Sequence, residues 1–188
     1  PGGGGKVVIR DHPKLDREAA YRLIGRYVEQ MGGRFYTGPD VGTTAADRAE
    51  VAAETRFVAH ASPRGGFGDP GDIARSTALG VLAGLRAALA DLEPGQTVAG
   101  ARVVVQGVGS VGANLVAMLL AEGAEVRIAD VDPAAVERVR SAAVAQHGLA
   151  VPLTVLEVDE VVEQAADVFA PCALGGVVTP EVARKLAV

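Results

Sequence analysis

The chain has no tryptophan, a single cysteine, three histidines and few aromatic residues of any kind. Each scarcity excludes something. One cysteine, Cys172, cannot build an internal disulfide and fits a reducing compartment, so a cytoplasmic location is the expectation. His12, His60 and His147 stand apart among side chains that do not ligate metals, so no metal site is expected. With aromatics at 4% and apolar residues at 49%, the cores have to be aliphatic, and 188 residues suffice for one domain or two small ones. A formal charge of −5 with dispersed basic residues argues against nucleic acid as a partner. No unbroken apolar run approaches the roughly 20 residues that span a bilayer, so no membrane partner is expected either.

What is present is ordered. Gly107-Val108-Gly109-Ser110-Val111-Gly112 follows a short, β-branched apolar run at 101–106, which reads as a buried parallel strand. Residues 113–122 carry apolar side chains at helical spacing and stop at Gly123. A second apolar run, 126–129, ends at Asp130, 23 residues past Gly107. In such a βαβ unit Gly107 permits the tight turn, Gly109 lets backbone approach a pyrophosphate, and Gly112 lets helix and strand pack closely. Ser110 and Val111 open the helix, whose free N–H groups and positive dipole end suit phosphates. The six residues alone would also fit a flexible glycine loop. Strand, helix, second strand and acid in register make them a dinucleotide-binding turn. The Asp130 carboxylate can accept hydrogen bonds from both adenosine ribose hydroxyls and repels the extra phosphate of NADP, and Val131 and Asp132 supply no arginine. NAD is therefore the expected cofactor. An acid at this strand end can also cap the helix that begins near Pro133, and the two roles are compatible.

Two segments differ in style. In the first, the pattern predicts strands at 7–10, 34–37 and 57–59. It also predicts a helix over 17–31, capped by Asp16 and closed by Gly32-Gly33, and a helix over 44–54 with Thr44 and Asp47 spaced as a capping box. A Gly- and Pro-rich loop at 62–72 marks the junction. Beyond it the pattern predicts helices at 73–92, 133–146 and 159–165, strands at 153–156 and 167–170, and a helix-like stretch at 179–186. The fold class is therefore α/β: a Rossmann-type parallel-sheet nucleotide-binding domain over 73–188, plus part of a smaller α/β substrate or catalytic domain over 1–72. The sequence opens inside a glycine run without an initiator Met and stops where another strand could begin, so it reads as a piece of a longer protein.

Two residues of the first segment are candidates for chemistry. Gly2-Gly3-Gly4-Gly5-Lys6 is not a Walker motif, because Val7 stands where Ser or Thr would hold magnesium and the loop precedes a strand. It leaves Lys6 on a glycine turn at the start of an apolar run, where partial desolvation would favour a neutral, proton-accepting amine; the alternative is an ordinary solvated lysine. Asp40 lies at the C-terminal edge of an expected strand, where clefts form in α/β folds; the alternative is a turn aspartate satisfied by backbone amides.

Taken together, Gly3-Gly4-Gly5-Lys6, the block from Gly33-Arg34-Phe35-Tyr36-Thr37-Gly38 through Pro39-Asp40-Val41-Gly42-Thr43, Thr77-Ala78-Leu79-Gly80-Val81, Val105-Gln106-Gly107-Val108-Gly109 and Phe169-Ala170-Pro171-Cys172-Ala173-Leu174-Gly175-Gly176 resemble the blocks of the Glu/Leu/Phe/Val amino-acid dehydrogenases, in that family's order. The resemblance covers essentially the whole sequence. It implies NAD-dependent oxidative deamination of an apolar L-amino acid to a 2-oxo acid, ammonia and NADH, by a homo-oligomer when full length. Lys6 matches the family's catalytic lysine, which activates water against the imine. Asp40 matches the acid/base that moves protons on and off the amine. Thr77 matches a threonine on the nicotinamide side of the cofactor, and Cys172 and Ala173 fall in a loop near that ring. The family's carboxylate-gripping lysine lies upstream of the glycine loop and its Ala-Asn-Asn block lies beyond the equivalent of Val188, so the sequence alone is expected to be a poor enzyme. Residues 68–76 are longer than the corresponding stretch of the branched-chain enzymes. Gly38, two before Asp40, resembles the phenylalanine rather than the leucine enzymes, which implies a slight preference for aromatic or bulky apolar side chains. An NAD-sensing module of the same fold is the alternative from another class, although a sensor needs neither Lys6 nor Asp40. A hydroxy-acid dehydrogenase would want a histidine acid/base, and none of the three histidines sits in a matching block.

Overall fold

The computed structural model describes residues 3–59 and 73–188, which divide into two compact units, Pro1–Gly71 and Asp72–Val188. The 62–72 junction and His60 lie outside the described residues.

The second unit is a four-stranded, all-parallel sheet in the order β3-β2-β1-β4, with β1 Arg102–Gln106, β2 Glu125–Ala129, β3 Leu153–Val155 and β4 Val168–Pro171. Strand alternation decides what each face buries. Val103 and Val105 of β1 and Val126 and Ile128 of β2 point to one side, into a core shared with the helices α3 Ile73–Leu92, α4 Ser110–Ala121 and α5 Pro133–His147. Val104, Ala129 and Phe169 point to the other side, where Val161 of a 3₁₀ turn and Ala166 cover them. Leu115 and Leu119 of α4 are fully buried, each adding roughly 2–3 kcal/mol of transfer free energy. α4 closes at Gly123, which takes positive φ, and α5 starts at Pro133 under an Asp132 cap.

The first unit is two helices, α1 Arg17–Gln30 and α2 Ala45–Glu54, around a small cluster of Val51, Ala52 and Val58 with Tyr21 and Ile24 against it. The expected caps are there. Asp16 accepts from the Ala19 N–H, and Thr44 and Asp47 form a reciprocal capping box. The helices meet at Gly25, where a Cβ would stand 2.7 Å from Glu54 Cβ and 2.8 Å from the Val51 carbonyl oxygen. A short helix, α6 Pro180–Lys185, follows the sheet of the second unit.

Four expectations need correction. Residues 7–10 form no strand: Val7 and Val8 are exposed, and no described strand runs beside them to take their backbone hydrogen bonds. Residues 34–37 and 57–59 contribute only the isolated parallel bridge Thr37–Val58. The 159–165 helix shrinks to the 3₁₀ turn Val161–Glu163, because Val161 is the only buried residue in an acid-rich stretch that offers no apolar face. Finally, α3 is 20 residues long and apolar enough to cross a bilayer by length and composition. Ala78, Leu82, Leu85 and Leu89 are buried at helical spacing and serve the core, whereas Ile73, Leu79, Val81 and Leu92 are exposed and Arg75 and Arg86 interrupt the run.

Candidate functional site

In the second unit the sheet order puts β1 between β2 and β4, so successive crossovers leave β1 in opposite directions, and a crevice opens at the carboxyl ends of β1 and β4. The glycine turn follows β1 there, and Cys172-Ala173 follow β4. Gly107 has φ +93°, and a Cβ on it would lie 2.5 Å from the Ala173 nitrogen. A Cβ on Gly112 would lie 2.0 Å from the Gly107 carbonyl oxygen and 3.2 Å from Cys172 Cβ. No side chain fits at either position. Gly109 differs, because a Cβ there would meet nothing within 4 Å. Its neighbours are packed shut while its own outer side is open.

Gly109 is also the N-cap of α4 and provides no side-chain cap. The N-termini of α1, α2, α5 and α6 are each capped by a side-chain oxygen. The opening amides of α4 at Ser110 and Val111 are thus left for another acceptor, at the positive end of a 12-residue helix. A groove of about 420 Å³ runs from Gly109 and Ser110 between α4 and α5.

Asp130 directly follows β2, beside this turn. Its Oδ2 accepts from the Val108 N–H at 2.6 Å and its Oδ1 from the Asp132 N–H at 2.9 Å. The helix-capping role falls instead to Asp132, which accepts from the Ala134 N–H. Asp130 is held rigidly to the turn, with lone pairs on both oxygens left over for hydroxyl donors. Cys172 donates its N–H to the Gln106 carbonyl at 2.7 Å, and burial pushes its thiol up from the ordinary value, so it stays protonated at neutral pH. Thr77 sits exposed on α3 and donates its hydroxyl to the Ile73 carbonyl one turn back, leaving oxygen lone pairs for another donor.

In the first unit Lys6 and Asp40 form an ion pair, Nζ to Oδ2, while Asp40 Oδ1 accepts from the Val41 N–H at 2.8 Å. The lysine side chain is 64% exposed, so the desolvation expected of it is not met within this unit. The turn-aspartate reading of Asp40 is met in part by its own neighbouring amide, with the lysine as second partner. Both residues line a cleft of about 730 Å³ that also includes Phe35, Gly38 and Arg17.

Arg17 is the residue that motif reading passes over. Its Nε and Nη2 bind the two oxygens of Asp47, each at 2.7 Å, and Nη2 also donates to the Gly42 carbonyl at 2.5 Å. Thr44 adds its N–H and hydroxyl to the same carboxylate. The Arg17 hydrogen bonds hold the nearly buried Asp47 well below the usual carboxylate range, against desolvation, with Thr44 assisting. No local signal marks the arrangement, because the partners lie 25 and 30 residues away.

The fold and the turn together define a Rossmann-type α/β protein. The sequence model of the Glutamate/Leucine/Phenylalanine/Valine dehydrogenase family matches residues 68–188, and the chain belongs to that family. It is 37% identical over 187 residues to phenylalanine dehydrogenase of Bacillus thermotolerans, covering 99% of this chain and 48% of that protein. It is 38% identical over 185 residues to leucine dehydrogenase of Bacillus cereus, covering 98% and 48%. The structure of L-tryptophan dehydrogenase from Nostoc punctiforme superposes with a TM-score of 0.66 at 32% identity, covering 94% of this chain and 47% of that one. The chain thus spans about half the length of the curated relatives it matches.

Proposed function

We propose that the full-length protein is an NAD-dependent dehydrogenase that oxidatively deaminates an apolar L-amino acid to a 2-oxo acid and ammonia. The observation that carries this reading is the Lys6–Asp40 ion pair, which joins a base and an acid from distant parts of the sequence at one cleft. An NAD-sensing module has no use for such a pair. Family membership supports the same reaction class.

The residues fit the cofactor. Gly107 and Gly112 close the turn, Gly109 leaves room for a diphosphate, and Ser110 and Val111 present uncapped amides toward it. Asp130 is ready to accept from the adenosine ribose and would repel an added phosphate, which favours NAD. Thr77, Cys172 and Ala173 are assigned to the nicotinamide side on the strength of the family blocks. When bound, the nicotinamide accepts a hydride from the substrate Cα. The chain's own work is proton handling. Lys6 first gives its ammonium proton to the paired Asp40 carboxylate, and the neutral amine then takes a proton from the attacking water, while Asp40 passes protons to and from the departing amine.

In the full-length protein, Lys6→Ala should cut kcat by about 10²–10⁴-fold while cofactor binding persists; unchanged turnover would sink the assignment. Titrating NAD and NADP against the same protein should show NAD binding more tightly, with the difference shrinking in Asp130→Asn. Substrate preference is assigned to aromatic or bulky apolar amino acids through Gly38. A Cβ there would contact Ala59 Cβ at 3.5 Å, an ordinary distance, so Gly38→Ala is tolerated and only narrows the cleft. It should move the kcat/KM ratio of phenylalanine to leucine toward leucine by about 1–3 kcal/mol. Homo-oligomeric assembly of the full-length protein belongs to the same proposal.

A further inference from the structure

We infer that Arg17 is a positioning residue for Asp40, an inference that rests on the acid/base role proposed above. Asp40 sits in the turn 40–43, closed by the Thr43 N–H on the Asp40 carbonyl at 3.0 Å. Gly42 within it has φ +78°, an orientation of the backbone that hands its carbonyl to Arg17 at 2.5 Å. The same Nη2, together with Nε, is locked on Asp47, whose carboxylate accepts two hydrogen bonds from Arg17 and two from Thr44. Three of those hydrogen bonds converge on Oδ2 and one reaches Oδ1, so Arg17 and Thr44 fix the carboxylate from two sides. Thr44 is itself the next residue after the turn. Arg17 therefore fastens the Asp40 turn to the first turns of α1 and α2 at once, through the planar fork that arginine has and lysine lacks.

Two other arginines on α1 make comparable pairs to α2 without reaching the turn, Arg22 with Glu50 at 2.6 Å and Arg26 with Glu54 at 3.3 Å. They separate the two explanations. If Arg17 only joined the helices, replacing Arg22 would have the same consequence as replacing Arg17. If Arg17 holds Asp40 in place, turnover responds to Arg17 alone, because a misplacement of about 1 Å in a proton-transfer group costs up to 10²-fold in rate.

The test is steady-state kinetics of the full-length protein. Arg17→Lys keeps a charge for Asp47 but cannot fork onto Gly42 as well, and should lower kcat about 10- to 100-fold with KM for amino acid and NAD within twofold. The double variant R17M/D47N removes both charges together, so no buried carboxylate is stranded, and should show the same split should R17K fail to fold. Arg22→Lys should leave kcat within twofold. Equal losses in R17K and R22K, or a loss confined to KM, would overturn the positioning role, as would unchanged kcat in R17K and in R17M/D47N. Asp40→Asn distinguishes the two levels. Full turnover in that variant overturns the acid/base reading itself, whereas loss of turnover there with normal R17K turnover overturns only the role of Arg17.

Discussion

The two units are held together by different physics. In Asp72–Val188 the central strands β1 and β2 of a parallel sheet are buried, and Leu82, Leu89, Leu115, Leu119 and Ile128 fill the larger core almost without polar atoms. In Pro1–Gly71 the described apolar cluster is small, and the α1–α2 seam is lined by three arginines facing three carboxylates in the same order along both helices. Exposed pairs of this kind contribute little, and Arg26–Glu54 is one of them. Arg17–Asp47 is different because the carboxylate is 5% exposed and could not be left unpaired. One unit therefore draws its stability from area removed from water, while the other relies on a particular charge staying ionised. The polar seam is also the one that carries the turn of Asp40.

The sharpest way to break the apolar unit is at its turn. Gly112→Ala drives a methyl group into the Gly107 carbonyl, which is backbone and cannot swing aside. Thermal or urea unfolding should report a loss of about 3 kcal/mol; a loss under about 1 kcal/mol would mean the helix and strand are not packed as described. The matching test in the polar unit is Asp47→Asn, with an expected loss of roughly 2 kcal/mol at neutral pH. Its pH dependence carries a sign. The folded value of Asp47 is depressed, so its contribution is complete above the ordinary carboxylate range and is lost as pH falls through that range toward the depressed value. Asp167, held by Arg102 at the sheet, titrates in the same direction, so acid weakens both variant and parent. The gap between them should nonetheless close on acidification. A gap that stays constant to low pH would show that Asp47 is not an ionised partner.

These differences explain what the sequence discloses. The sheet unit is legible because its elements announce themselves locally: β-branched runs, helical periodicity, Gly123 and Pro133. Asp130 is legible because a strand end fixes where its carboxylate stands, although its hydrogen bond from Val108 is not foreseeable. In the first unit the caps at Asp16 and Thr44 are equally local and read correctly. The strands at 7–10 and 34–37 do not form, since pairing depends on a neighbour that no local pattern reveals. The same holds for Arg17, which looks like one more surface arginine until Asp47 and Gly42 are brought to it. Lys6 and Asp40 are recoverable from motif blocks, but their direct contact is a tertiary fact.

Gly25→Ala is a gentler probe of the polar seam. Alanine favours the helix by about 1 kcal/mol over glycine. Its methyl would nevertheless press on Glu54 Cβ and the Val51 carbonyl, and such crowding costs about 1–3 kcal/mol. The net should be a loss of about 1 kcal/mol by urea unfolding, and a gain in stability would show the helices are farther apart than described.

The smallest effect on stability is also the most informative about function. Gly109 lies between Gly107 and Gly112 in the turn, yet a Cβ there meets nothing, and its φ of −68° is open to any residue. Gly109→Ala should therefore cost under about 1 kcal/mol in unfolding, mostly from exchanging a good N-cap for a poor one. If the open side of Gly109 exists to admit a diphosphate, the same methyl should weaken NAD binding at least tenfold, as measured by fluorescence titration of the full-length protein. Gly112→Ala would lose binding by loosening the turn, so only the Gly109 variant separates occupancy from architecture. Unweakened NAD binding by a folded Gly109→Ala protein would mean that the space above this glycine is not where the cofactor's phosphates lie.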